Sequence, residues 1–228
     1  MEANYMTPIR LLFFSFISKI LGKALNALAF LFLRKSSRLA HNKIKVILNK
    51  NYSIPDFFLY SNALIHAEDH RFYHHYGIDY IAIFRALYQT YFQHCRQGGS
   101  TIEQQLVRTL AGDYRKNYRR KFRELLIAST ISSAFTKKEV LTAYLSIAHF
   151  GTGIEGIKKA TKEITVTDEV TKHKVAYLIA HLRYPLPKYT EDRFLPNRSR
   201  RKAIIEYYCE HKSNAPFKLM RYDDKNLF

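Results

Sequence analysis

An all-α fold is what this sequence predicts, on three observations. Only 8 glycines and 6 prolines punctuate 228 residues, too few for the turns of an all-β architecture. Apolar residues recur at three- and four-residue spacing along much of the chain, the period of a helix with one inward face. A hydroxyl residue precedes a glutamate by three positions at Ser100–Glu103 and again at Thr136–Glu139, the pattern of a capping box. The length suits one domain with a modest appendage, divided here as an N-terminal segment, 1–38, and a main domain, 39–228. Hydrophobic residues at 47% and aromatics at 14% are ample for a packed core.

Residues 9–33 are dense in Leu, Phe, Ile and Ala, with Arg34, Lys35 and Arg38 just beyond. A helix of about 25 residues is roughly 37 Å long, enough to cross a hydrocarbon core. Lys19 and Lys23 share a face with Asn26, and mid-membrane lysines are costly. The pattern therefore fits a helix lying in the interface about as well as a span. Basic residues flank both sides, so the charge rule gives no orientation. The run is long for a signal peptide, and no small-x-small cleavage site is evident. Residues 40–54 read as a connector with a short apolar strip at Val46, Ile47 and Leu48.

Pro55-Asp56 reads as a helix start with proline in the first turn. Phe57, Tyr60, Leu64 and Ala67 make one apolar face, with Glu68 at its end and Phe72 four residues on. That setting predicts partial desolvation of Glu68, which raises a carboxyl pKa toward the range useful for proton transfer. A surface ion pair with Arg71 is the plainer alternative. Residues 78–94 read as a helix with Ile81, Phe84, Leu87, Tyr88 and Tyr91 inward. Gly98-Gly99-Ser100-Thr101 is a glycine turn entering a helix, capped by Ser100 with Glu103 closing the box. Free N–H groups at such a terminus attract anions, although an ordinary capped helix looks the same.

Residues 115–135 read as a long helix with a basic first half, packed through Tyr118, Phe122, Leu125 and Ser129. Inside that run Glu124 stands four after Arg120 and three after Lys121, spacings that hold a carboxylate ionised. A helix with Val140, Leu141, Tyr144, Leu145 and Ala148 inward follows from Thr136. A glycine-rich loop, 150–156, and helices at 157–162, 172–182 and 199–209 complete the chain.

The balance of 37 basic against 19 acidic residues, a net +18, attracts polyanions: nucleic acid, anionic lipid or a pyrophosphate. Composition does not choose among them. The aromatics fall on packing stripes rather than among the basic residues, which argues against nucleic acid. Cys95 and Cys209 are too few for a disulfide scaffold, and nothing in their setting points to a bridge.

Several ordered blocks carry a resemblance. They are Glu68-x-x-x-Phe72-x-x-His75-x-Gly77, Gly98-Gly99-Ser100-Thr101-Ile102-x-Gln104-Gln105-Leu106, Arg120-Lys121-x-x-Glu124, and Lys138-Glu139-Val140-Leu141-x-x-Tyr144-Leu145. Phe150-Gly151, Gly153-Ile154 and Arg200-Arg201-x-x-Ile204-Ile205 follow. Over roughly residues 61–205 the sequence resembles the peptidoglycan glycosyltransferases, the polymerising domain of class A penicillin-binding proteins and the monofunctional transglycosylases. The resemblance implies a lysozyme-like helical domain that joins lipid II into glycan strands, inverting the anomeric centre and releasing undecaprenyl pyrophosphate.

In that family the residue matching Glu68 takes the proton from the acceptor's 4-hydroxyl, and the one matching Glu124 orients the donor pyrophosphate. Arg85, Ser100, Gln105, Arg108, Lys116, Arg120 and Lys121 match positions lining the donor region. No cofactor is required and no protein metal site is expected, a divalent cation (Mg or Mn) at the pyrophosphate being an option. The implied partners are lipid II, the growing strand, membrane lipids, and other cell-wall synthesis or division proteins. The implied place is the outer face of the bacterial cytoplasmic membrane. No transpeptidase domain follows, so a monofunctional enzyme is the closer likeness.

Departures stand at Glu103, Arg108, Thr109 and Ser146, where the family usually has Thr, Lys, Asn and Asn. Glu163-Ile164 stands at or near the place of a usual Tyr-Phe pair. Glu103 adds a negative charge near the expected anion site unless the capping box holds it away. Two other readings stay open here: a lysozyme-type muramidase, and a catalytically weak or inactive protein that grips lipid II or the membrane.

Overall fold

The structure, a computed structural model, describes residues 8–50, 53–94, 98–164 and 172–185. Cys95, Cys209, the expected helix at 199–209 and the block at 200–205 lie outside the described residues. The elements run α1 (Pro8–Phe32), α2 (Arg34–Asn49), α3 (Phe57–Glu68), a 3-10 turn (Phe72–His74), α4 (Tyr80–Phe92), α5 (Ile102–Ala111) and α6 (Tyr118–Ala134). α7 (Lys137–Ile147), β1 (His149–Gly151), β2 (Ile154–Glu155), α8 (Ile157–Ile164) and α9 (Lys172–Arg183) follow. The protein is all-α; the strands among the described residues form one two-stranded antiparallel hairpin.

The chain divides into two compact units, 1–52 with 71–144 and 53–70 with 145–228. In the first, α6 is the central helix, and α1, α2 and α5 all pack against it. Its buried run is continuous from Leu126 to Ile131, and Glu124 is buried just before it. α1 turns Phe14, Ser18 and Ala29 inward, and small residues at such positions let helix backbones approach closely. Ser18 Oγ donates to the Ile78 carbonyl (3.1 Å) and accepts from the Tyr76 N–H (3.0 Å), and Asn26 Nδ2 donates to Ser133 Oγ. The other faces of α1 are open, with Leu12, Phe13, Phe16, Leu31 and Phe32 exposed. Only 17% of its apolar window is buried, so α1 is no core helix. It is one N-terminal helix long and apolar enough to cross a membrane.

In the second unit α3 packs on α9, and α9 packs on β1 and α8. Tyr60, Leu64, Val175, Leu178 and Ile179 form the buried seam. The chain passes from the first unit to the second within α7. The Thr136 capping box that opens α7 is formed: the Thr136 N–H donates to Glu139 Oε2 (2.7 Å), and the Glu139 N–H donates to Thr136 Oγ1 (3.3 Å). Val140, Leu141, Tyr144, Leu145 and Ala148 are all buried, as their spacing predicts.

Several expectations are corrected. Where a connector was expected at 40–54, residues 34–49 are a helix, because Ser37, Ala40 and Ile44 at helical spacing find α6 to pack on. α3 starts after Pro55, with Asp56 as its N-terminal flank. The expected inward stripe of α4 faces out: Phe84, Leu87, Tyr88 and Tyr91 are exposed, and Ala82 is its buried residue. Tyr118 and Phe122 of α6 are likewise exposed. Exposed rings thus do interleave with Arg119 and Arg123 on α6, and the packing argument against nucleic acid falls with that stripe. The glycine-rich loop at 150–156 is the β1–β2 hairpin.

Candidate functional site

The Gly77 end of the first motif block and the Gly98–Leu106 block meet at one carbonyl in the first unit. Gly77 has φ +78°, a left-handed conformation that favours glycine. A Cβ there would lie 2.6 Å from the Ala128 carbonyl oxygen of α6, so only glycine lets the loop touch that helix. The Gly77 carbonyl accepts from Thr101 Oγ1 (2.8 Å) and from Gln104 Nε2 (3.5 Å). Thr101, not Ser100, caps α5: its hydroxyl accepts from the Gln104 N–H (3.3 Å). Ser100 is thereby released, and its Oγ accepts from Lys121 Nζ at 2.7 Å.

Glu124 is the centre of the resulting cluster. It sits on the second turn of α6, whose start is set by Asn117 accepting from the Arg120 N–H at 2.7 Å. The carboxylate is 3% exposed. Arg108 grips it with both arms of the guanidinium fork, Nε to Oε1 at 3.0 Å and Nη2 to Oε2 at 3.2 Å. Arg120 Nη1 also donates to Oε1, and Lys121 Nζ lies 3.9 Å from Oε2. Burial works to lower the Arg108 pKa, but the hydrogen bonds and charge of Glu124 outweigh it and the net shift is upward.

Lys121 differs. Burial pulls its ammonium down to about 8; Glu124 opposes that shift, while Arg108 and Arg120 reinforce it. Lys121 Nζ donates to Gln104 Oε1 as well as to Ser100. Three cations around one carboxylate leave an excess of positive charge. The Arg108 and Lys121 side chains are 27% and 33% exposed, within reach of an incoming anion.

Five of the expected residues are therefore brought together: Ser100, Arg108, Arg120, Lys121 and Glu124. Gln105, on the same helix, instead accepts from the Tyr144 hydroxyl at 2.7 Å. Arg85 lies half-buried on α4. Its pKa is lowered first by burial and then by the charge of Arg71, with Asp79 opposing, so it belongs with the Arg71–Asp79 pair (2.8 Å) that caps α4. Lys116 is exposed in the segment before α6. Glu68 is the last residue of α3, in the second unit, and is half-buried at the end of the run Ala63–Leu64–Ile65 as its spacing predicts.

The capping role expected of Glu103 is overturned. Its side chain is fully buried, and Oε1 accepts from Lys137 Nζ at 2.7 Å. Burial would raise its pKa, but the charges of Lys137 and His75 prevail and the net shift is downward. The Lys137 ammonium also stands 4.1 Å from the Phe72 ring centre, a cation–π contact. Glu103 thus spends its charge on the core side of α5 rather than at the cationic cluster. Thr101, Gln104, Tyr144 and Lys137 were not among the site residues that the sequence predicts. The first three stand inside the quoted motif blocks, and that position was the available signal.

A family model described as transglycosylase matches residues 38–208 of this chain. A monofunctional glycosyltransferase of Staphylococcus haemolyticus is 35% identical over 130 residues, 55% of this chain and 47% of that protein. Penicillin-binding protein 1A of Aquifex aeolicus is 39% identical over 102 residues, 44% of this chain and 14% of that protein. A monofunctional glycosyltransferase of Staphylococcus aureus strain JH9 is 37% identical over 99 residues, covering 43% and 36% respectively. The matched region spans less than half the length of each of these relatives.

Proposed function

This chain belongs to the transglycosylase family, whose model spans residues 38–208, and on that premise we propose that it polymerises lipid II into peptidoglycan glycan strands. The observation that carries the proposal is the cationic cluster on Glu124, built from the residues that the family resemblance assigns to the donor pyrophosphate. In the proposed step the acceptor's 4-hydroxyl oxygen bonds to the donor's anomeric carbon as that carbon's bond to the pyrophosphate oxygen breaks. The hydroxyl proton passes to the Glu68 carboxylate, and the electron pair of the broken bond leaves with undecaprenyl pyrophosphate. Attack opposite the leaving group inverts the centre from α to β.

Arg108, Arg120 and Lys121 stabilise the negative charge that gathers on the leaving diphosphate, a term worth most in a water-poor site. Glu124 holds the two guanidinium groups in place rather than reacting. Both its oxygens accept from guanidinium groups, so its charge is committed to holding them. The proposed reaction routes no step through a metal: the side chains neutralise the pyrophosphate. α1 would keep the enzyme at the outer face of the cytoplasmic membrane, where a lipid-linked substrate can be met without leaving the bilayer.

The test is lipid II polymerisation by the purified chain beside Glu68→Gln, with and without a chelator. The expected result is polymer from the wild type, insensitive to the chelator, and a loss of at least about 100-fold in Glu68→Gln, the scale of a removed general base. Shortened glycan from preformed strands would make the protein a hydrolase. Tight lipid II binding without turnover would make it a binding protein.

A further inference from the structure

A pocket of about 270 Å³ opens between α2, α5 and α6 within the first unit. Its wall carries four cations, Lys43, Arg108, Arg120 and Arg123, against two carboxylates, Asp113 and Glu124, while Leu39, Val107 and Ile127 supply apolar surface. Arg108 and Arg120 are committed to Glu124, and Asp113 to Arg115. Lys43 and Arg123 are less committed. Lys43 Nζ donates to the Leu110 carbonyl at 2.8 Å, and Arg123 Nη2 donates to Ser36 Oγ at 2.7 Å. An ammonium has three donors and a guanidinium five, so both residues hold N–H groups in reserve for an anion.

The position of the pocket says which anion. α2 starts at Arg34, two residues after α1 ends at Phe32, and Ser36, Ala40 and Lys43 share one face of it. Ser36 is thus about 6 Å along the chain from the end of an apolar helix, at 1.5 Å per residue. Phe30, Leu31 and Phe32 are exposed there, and the Arg34 guanidinium lies 5.0 Å from the Phe30 ring centre. Whether α1 crosses the bilayer or lies in its interface, this end belongs at the boundary between hydrocarbon and headgroups. A basic pocket beside an apolar floor at that depth suits a lipid headgroup rather than a solute.

We propose that this pocket binds the phosphodiester headgroup of an anionic phospholipid, held by Lys43, Arg123 and Ser36. The three residues that hold the headgroup have no part in the proposed glycosyl transfer, and they face Arg108, Arg120 and Glu124 of the donor cluster across the same pocket. A lipid seated there would fix the rotation of α2 against α5 and α6 and the height of the catalytic cluster above the membrane.

The test is native mass spectrometry of the full chain in neutral detergent, titrated with phosphatidylglycerol, phosphatidylcholine or inorganic phosphate. The expected result is one phosphatidylglycerol bound at least about tenfold more tightly than phosphatidylcholine. Lys43→Gln with Arg123→Gln should weaken it about tenfold or more, the scale of losing charge-assisted hydrogen bonds. Because Lys43 also satisfies a backbone carbonyl, Ser36→Asp serves as the second variant. It keeps both cations, places a carboxylate beside Arg123, and should abolish retention with the thermal midpoint unchanged. Equal retention of phosphatidylglycerol by wild type and Ser36→Asp would overturn the proposal, as would equal binding of the two lipids. Displacement by inorganic phosphate at matching concentration would reassign the pocket to a free anion and overturn the headgroup assignment.

Discussion

Lys121 is the residue whose state decides most at neutral pH. With its pKa drawn down to about 8, it is mostly charged at pH 7 and mostly neutral at pH 9. If its charge helps the diphosphate leave, kcat/KM for lipid II falls through that window as pH rises. Lys121→Arg, whose guanidinium stays charged, is expected to flatten the alkaline limb, which a pH–rate profile of the two proteins measures. Glu103 bears on stability instead. Its folded pKa lies below the usual glutamate range, so its contribution is complete above that range and is lost as acidification reaches the folded pKa. Acid unfolding is therefore expected to need lower pH in the wild type than in Glu103→Gln. Lys137→Met, which strands a buried carboxylate, should cost about 3–5 kcal/mol; denaturant titration in detergent reads both. The choice of cap on α5 was not legible from neighbouring residues. Ser100 and Thr101 are both good caps, and the Gly77 carbonyl, distant in sequence, engages Thr101 and leaves Ser100 to Lys121.

Among the elements, α7 and α4 respond to the same periodicity argument in opposite ways. α7 buries the face its spacing predicts, because neighbours cover it. α4 presents an equally good apolar stripe to the outside, with Phe84 68% and Tyr91 68% exposed. Periodicity shows that one face differs from the other; it does not supply the partner. Phe84→Ala is accordingly expected to change stability by no more than about 0.5 kcal/mol. Leu126→Ala on the buried face of α6 should cost about 2–5 kcal/mol, and paired thermal melts separate the two. Thr136→Ala, which removes the capping box of α7, should cost about 1 kcal/mol by the same measurement. α2 was missed because its polar and basic residues hide a three-position seam of small and apolar residues that matters only once α6 lies beside it.

For the molecule as a whole, the net charge of +18 is distributed over two tasks. Part of it surrounds Glu124, and part lines the pocket beside the end of α1. Both lie in the unit organised on α6, and α1 belongs to that unit too, through Ser18, Asn26 and the small residues of its inner face. The helix that is long and apolar enough to cross a membrane is therefore also a packing element. A chain lacking residues 8–32 should lose partition into neutral-lipid vesicles and expose the α6 face that α1 covers, a pairing that flotation and apolar-dye binding report together.

Helical class, the apolar N-terminal helix, the capping box of α7 and the motif blocks carrying Glu68 and Glu124 were all determined by the sequence alone, since each rests on groups a few residues apart. The cluster on Glu124 was half legible: Arg120 and Lys121 follow from helical spacing, whereas the bidentate Arg108, sixteen residues earlier, needs α5 and α6 in contact. Tertiary structure alone decided the burial of Glu103 on Lys137, the release of Ser100, and which apolar faces are covered. The physical reason is common to all three. Burial and charge pairing depend on what stands opposite a side chain, and the residues opposite are supplied by helices distant in sequence.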